Sequence, residues 1–279
     1  MSRIAAVFGK LRSQRRSALI PFVVAGDPDL ETSLKIVQAL SSGGADLIEL
    51  GVPFSDPIAD GPVNQRAAQR ALAAGVSLAD ILGLVRKARA DVHQPIVLLS
   101  YYNPILQYGL TRFCGEAASA GVDGVVIPDL PPDESEELMA AARSSGLDVI
   151  FLLAPTSTSG RIDVVTERAS GFIYCVSLTG VTGVRDRLPD DIRDLVQRIK
   201  ARTPLPVCVG FGISTPEQAR EVAEIADGVI VGSAIVALLE SPSDRVGRLS
   251  RFVQDLRQAI DTTTSIAHGV GRRRTEAEL

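Results

Sequence analysis

Residues 206–231 read PVCVGFGISTPEQAREVAEIADGVIV, and their punctuation decides the fold. Pro206–Val209 and Gly228–Val231 are apolar runs of strand length, without the polar alternation of a half-exposed strand. Between them, Thr215-Pro216-Glu217-Gln218 combines a capping box with proline at the first helical position. Pro216–Ala223 then carries a helical pattern that stops before the second run. A strand, a glycine-rich turn, a capped helix and another strand make one βαβ unit. Strands that are apolar on both faces belong to a parallel sheet covered by helices and joined by right-handed crossovers.

The unit repeats outward along the chain. Leu19–Ala25, Leu47–Val52, Pro95–Tyr101, Val122–Ile127, Val149–Leu153 and Phe172–Ser177 bring the apolar runs to eight. Helical patterns separate most of them: Glu31–Ser41, Leu78–Ala90, Thr111–Ala120, Glu134–Ser144, Arg161–Arg168 and Asp191–Ala201, with a last helix near Ser243–Ile260. Ser77-Leu78-Ala79-Asp80, and Asp133 with Glu136, supply further helix starts. Eight βα units in about 250 residues is the dimension of a (β/α)8 barrel. The alternative, a doubly wound open sheet, finds no dinucleotide fingerprint after the first strand, where the chain reads Ala25-Gly26-Asp27-Pro28. The expectation is an α/β chain with a single (β/α)8 TIM barrel over residues 1–261. An extra N-terminal helix precedes it, a short helix over Ala234–Leu239 follows strand eight, and residues 262–279 form a mobile tail without a core pattern. The N-terminal stretch lacks acids, as transit peptides do, but Ile4, Val7, Phe8 and Leu11 recur at helical spacing, which favours a plain amphipathic helix.

Composition narrows the chemistry. The 279 residues are 46% hydrophobic and 22% charged, with a net charge of −4, which argues against a nucleic-acid-binding field. Two histidines, His93 and His268, leave little for a metal site or a Ser-His-Asp triad. Lys10, Lys35, Lys87 and Lys200 all fall in helical patterns, away from strand ends, which disfavours a Schiff-base lysine. Cys114, Cys175 and Cys208 show no CxxC spacing and read as reduced, consistent with a cytoplasmic setting. No apolar run reaches the roughly 18 residues of a membrane span.

In such a barrel the chemistry sits at the C-terminal ends of the strands. Alternation along the second strand puts Leu47, Glu49 and Gly51 on one face. If that face is the interior, burial raises the pKa of Glu49 and suits it to proton transfer near neutrality. A carboxylate held by a structural hydrogen bond fits the position equally well. The next loop, Pro53-Phe54-Ser55-Asp56-Pro57-Ile58-Ala59-Asp60-Gly61-Pro62, is stiffened by prolines and returns Asp60 toward the barrel mouth. Asp60 reads either as a turn or capping aspartate or as the second member of an acid–base pair with Glu49. Glycines follow the last three strands at Gly180-Val181-Thr182-Gly183, at Gly210-Phe211-Gly212, and at Gly232-Ser233. Backbone N–H groups there, with the N-terminus of the Ala234–Leu239 helix, suit a phosphate.

The run Leu50–Pro62 closely resembles the signature of the tryptophan synthase α-subunit family. The likeness continues through Pro21–Pro28, Tyr102–Ile105, Pro128–Pro131, Gly171–Tyr174, Gly180–Gly183 and Gly210–Ile213, in order from about residue 18 to 260. The resemblance implies a barrel enzyme, a lyase that cleaves indole-3-glycerol phosphate to indole and glyceraldehyde 3-phosphate in tryptophan biosynthesis. It implies no cofactor in this chain, and an α2β2 complex in which indole passes to a pyridoxal-phosphate-dependent β subunit. By the same resemblance Glu49 is the general acid–base, Asp60 faces the indole N–H, and Tyr174 lies close to Glu49. Phe22 and Phe211 contact the indole. Gly183, Gly212, Gly232 and Ser233 cradle the phosphate, and Thr182 belongs to a loop, about Leu178–Asp190, that closes over substrate. Pro53 and Asp56 face the partner. Asn64 stands where the family more often has an apolar residue, which alters the packing expected of the indole pocket. Two other readings of the same residues are a phosphate-binding isomerase or epimerase, which would not require Asp60, and a barrel that serves only to activate a partner.

Overall fold

The computed structural model of the chain describes residues 1–176, 190–210 and 212–273, with residues 263–273 as backbone only. The strands are β1 (Ala18–Val24), β2 (Ile48–Gly51), β3 (Ile96–Leu99), β4 (Gly124–Val126), β5 (Asp148–Ile150), β6 (Leu152–Leu153), β7 (Ile173–Val176), β8 (Val207–Gly210) and β9 (Gly228–Val231). They form one parallel sheet in the order β5-β4-β3-β2-β1-β9-β8-β7-β6. The two ends of that order are consecutive in the chain, separated by Phe151 alone. β5 pairs with β4 and β6 pairs with β7, so one interrupted segment closes the cylinder. The eight expected strands are therefore present, the fifth split in two. Across the split the Phe151 carbonyl still accepts the Tyr174 N–H at 3.0 Å.

The helices are α1 (Arg3–Ser13), α2 (Leu30–Ser42), α3 (Pro62–Ala73), α4 (Leu78–Ala88), α5 (Tyr102–Tyr108), α6 (Leu110–Ala120), α7 (Glu136–Ser145), α8 (Ser159–Arg168), α9 (Asp190–Lys200), α10 (Pro216–Ala223), α11 (Ser233–Glu240) and α12 (Arg245–Arg273). The capping box read at Thr215 forms, and the helix start read at Ser77 proves to be a second box, each with its reciprocal side-chain bond. The start read at Asp133 does not: a 3₁₀ turn over Pro132–Glu134 intervenes, and α7 begins at Glu136 without a side-chain cap. α3 and α5 were not expected as helices. α3 buries only alanines, Ala67, Ala68 and Ala71, which leave no apolar periodicity to read. α5 is two turns long with Pro104 inside its first turn. The backbone of α12 stays helical to Arg273, past Ile260.

Strand alternation builds two cores. Outward-facing residues such as Ile48, Leu50, Leu98 and Val209 pack against the helices. Inward-facing Ile20, Leu47, Val97, Ile150 and Ile230 fill the barrel, and Ile4, Phe8 and Leu11 of α1 plug its N-terminal end. Phe8 meets Phe172 at 5.9 Å between ring centroids, and Phe172 meets Tyr174 at 6.3 Å. The aromatic column leads from the plugged end up to the polar floor of the opposite end.

Candidate active site

Glu49 faces the barrel interior and is 1% exposed. Its register neighbours are Phe22 on β1 and Val97 on β3. Neither carboxyl oxygen has a hydrogen-bond partner among the described residues. Burial, and then the charge of Asp60, push its pKa from the ordinary 4.5 to about 8; the Tyr174 hydroxyl opposes the shift without meeting hydrogen-bond geometry. Glu49 is therefore a neutral acid at pH 7. Burial comes first, with the charge of Glu49 next, in raising the pKa of Tyr174.

Two glycines make room for the aromatic walls. A Cβ on Gly210 would lie 2.7 Å from both the Cε1 and the hydroxyl of Tyr174. A Cβ on Gly51 would lie 2.7 Å from the Phe22 ring. Each ring thus lies over a neighbouring strand at a point where only hydrogen fits, and Phe22 shares a small apolar cluster with Val24, Ala67, Ala68 and Val236.

Asp60 is half-buried at the end of the β2–α3 loop and does not cap α3, whose N-cap is Gly61. Its Oδ2 accepts the Tyr101 hydroxyl at 2.9 Å and its Oδ1 accepts Asn64 Nδ2 at 3.3 Å. Burial raises its pKa, and the Tyr101 and Asn64 hydrogen bonds pull the other way. Tyr101 is 2% exposed and also accepts the Ala59 N–H at 2.9 Å, while its ring packs on Phe54 at 5.2 Å. One tyrosine thereby holds the whole loop segment that carries Asp60. Sequence reading did not single out Tyr101; the available signal was a tyrosine at the C-terminal end of a strand run, where barrel chemistry is found.

Behind this loop, Arg70 of α3 grips buried Asp27 with two bonds of 2.8 and 2.7 Å, and Arg66 bonds Glu240 at the end of α11 at 2.8 Å. These pairs fix α3 to the β1–α2 loop and to α11. The N-terminus of α11 begins at Ser233 with Gly232 as N-cap and no side-chain cap, leaving its first N–H groups open to an anion. Gly212 has φ +41° and is exposed. Pro53 is buried and Asp56 exposed, and between them and Asp60 the Ile58 side chain is 84% exposed. Thr182, Gly183 and Phe211 lie outside the described residues, as does most of the loop about Leu178–Asp190.

The site is a (β/α)8-barrel mouth with a buried neutral carboxyl group, a second carboxylate held by donors, and an open helix N-terminus. The family model described as tryptophan synthase alpha chain matches residues 8–264. The alpha chain of Geobacter sulfurreducens is 53% identical over 262 residues, covering 93% of this chain and 99% of that one. The alpha chain of Carboxydothermus hydrogenoformans is 53% identical over 267 residues, covering 96% and 100%. Among solved structures, the alpha subunit of Legionella pneumophila superposes with a TM-score of 0.87 at 40% identity over 94% of this chain and 99% of that one. A chain of tryptophan synthase from M. tuberculosis superposes at 0.86 with 38% identity, covering 93% and 99%. The chain belongs to the tryptophan synthase alpha chain family, lyases with indole-3-glycerol-phosphate aldolase activity.

Proposed function

We propose that Glu49 and Asp60 divide the acid–base work of cleaving indole-3-glycerol phosphate. The observation that carries this reading is the asymmetry of the two groups: Glu49 is buried, neutral and unbonded, while Asp60 is held by two donors. Glu49 gives its proton to indole C3, which turns the ring into an electron sink. The C–C bond to the glycerol chain breaks and its electron pair returns to the ring. The neighbouring hydroxyl loses its proton to the Glu49 carboxylate, so the acid is restored and glyceraldehyde 3-phosphate leaves as the aldehyde. Asp60 accepts the indole N–H and stabilises the positive charge that C3 protonation creates. Tyr174 sets the electrostatic surroundings of Glu49. Phe22 and Phe211 supply the apolar walls, and Gly183, Gly212, Gly232 and Ser233 bind the phosphate with the N-terminus of α11. Thr182 belongs to the loop that closes over substrate.

The partner in this reading is a tryptophan synthase β subunit in an α2β2 complex. Its pyridoxal phosphate joins indole to serine, and this chain carries no cofactor. An M. tuberculosis tryptophan synthase of this likeness was solved in an aminoacrylate-bound form, which supports the pairing. The β2–α3 loop, with Pro53, Asp56 and the exposed Ile58 close in sequence to Asp60, suits an interface that reports on the site. A cytoplasmic location fits the free cysteines Cys114, Cys175 and Cys208. Among the described residues no single helix is long and apolar enough to cross a membrane. The test gives the purified chain indole-3-glycerol phosphate, with and without a tryptophan synthase β subunit and serine. Slow indole release alone and much faster tryptophan formation with the partner are expected; no release in either arm, from folded protein, overturns the reading.

A further inference from the structure

Asn64 is the third residue of α3, and its amide reaches back one turn to Asp60 Oδ1 at 3.3 Å. The adjacent Gln65 does the same to the backbone, its Nε2 donating to the Asp60 carbonyl at 2.9 Å. Together with Tyr101 on Oδ2, three donors clamp one residue. The other end of the Asn64 amide is spare: its Oδ1 is buried and has no partner among the described residues. Flipping the amide would turn that oxygen onto a carboxylate oxygen, so the donor is fixed on Asp60 by charge. The one side-chain bond seen for Asn64 thus serves Asp60 rather than the packing of α3, whose buried residues are Ala67, Ala68 and Ala71.

We propose that Asn64 is a positioning residue for Asp60, fixing the plane of its carboxylate against Tyr101 so that one lone pair on each oxygen remains for a donor on the substrate. This rests on the reading of Asp60 as the group that faces the substrate. With both oxygens held, the carboxylate cannot rotate away when the positive ring forms, and the uncapped N-terminus of α3 lies beside it. The titratable groups that feel the charge of Asp60 among the described residues are Glu49 from β2, Tyr101 after β3 and Tyr174 from β7, of which Tyr101 also donates to it; Asp129 acts in turn on Tyr101. None of them replaces the donor that Asn64 supplies.

The experiment compares wild type, Asn64→Leu and Asn64→Ser, the first filling the same space without a donor and the second too short to reach Asp60. Indole release from indole-3-glycerol phosphate is followed as kcat/KM from pH 5 to 9, with Asp60→Asn as control and urea midpoints to establish folding. Losing a donor to the ionised form makes Asp60 easier to protonate. The acidic limb therefore moves about one pH unit upward in both variants, and kcat/KM on the acid side of the wild-type limb falls about tenfold. A purely structural role lowers activity at every pH and leaves the limb in place. An inactive Asp60→Asn with unmoved limbs in both Asn64 variants overturns the positioning role alone. A fully active Asp60→Asn overturns the reading of Asp60 on which it rests.

Discussion

Glu49→Gln is expected to stabilise the protein, and by an amount that depends on pH. In the native state Glu49 keeps its proton to about pH 8, whereas an exposed glutamate loses it near 4.5. Between those values the unfolded chain gains from ionisation and the native state does not. Stability is therefore full below pH 4.5 and declines as pH rises toward 8, by about 1.4 kcal/mol per pH unit. At pH 7 the loss is about 3 kcal/mol, and at pH 5 about 1 kcal/mol. Glutamine has nearly the same shape as the neutral acid and no proton to lose, so the variant escapes this decline. Urea unfolding of both proteins at pH 5, 7 and 8 measures the gap from midpoints and slopes. The account requires a gap in favour of Glu49→Gln that widens with pH. A constant gap, or a variant less stable at pH 8 than at pH 5 relative to wild type, would refute the claim that Glu49 is buried and neutral.

Three further outcomes follow from the same geometry. The kcat/KM of wild type is expected to fall on the alkaline side with a midpoint near pH 8, where Glu49 loses its proton; a flat profile to pH 10 removes Glu49 as the acid. Tyr101→Phe takes away the donor to Asp60 and the acceptor of Ala59 N–H, and is expected to lower kcat/KM by roughly 10- to 100-fold, about 1.5–3 kcal/mol for a hydrogen bond to a charged group; unchanged steady-state kinetics would show that the loop needs no such anchor. Gly210→Ala drives a methyl group into the Tyr174 ring, which is enclosed by Phe172 and the barrel wall, and is expected to cost about 1–3 kcal/mol in urea unfolding along with most of the turnover.

Much of the barrel was legible because its signals are local. Period-two alternation put Leu47, Glu49 and Gly51 on one face, which the closed sheet turns inward, and the signals at Ser77 and Thr215 gave two helix starts to the residue. Signals that depend on distant neighbours were not legible. The split of the fifth strand at Phe151 arises from closing the cylinder, a demand no single run displays. Tyr101 meets Asp60 across 41 residues, so its role is visible only when β2 and β3 lie side by side. Asn64 was read only as a polar residue where the resemblance has an apolar one, and its partner was not legible. The fold turns its amide onto Asp60, because the first turn of α3 brings residues four apart together.

The central claim is that a neutral Glu49 delivers the proton that breaks the carbon–carbon bond. The most direct measurement is indole release at pH 7 by Glu49→Gln, beside wild type, with binding of an unreactive indole-alkyl phosphate measured on both. The account predicts that the variant binds the analogue normally and loses turnover by at least about a hundredfold, the usual worth of a general acid. Wild-type turnover from a folded Glu49→Gln protein would contradict it.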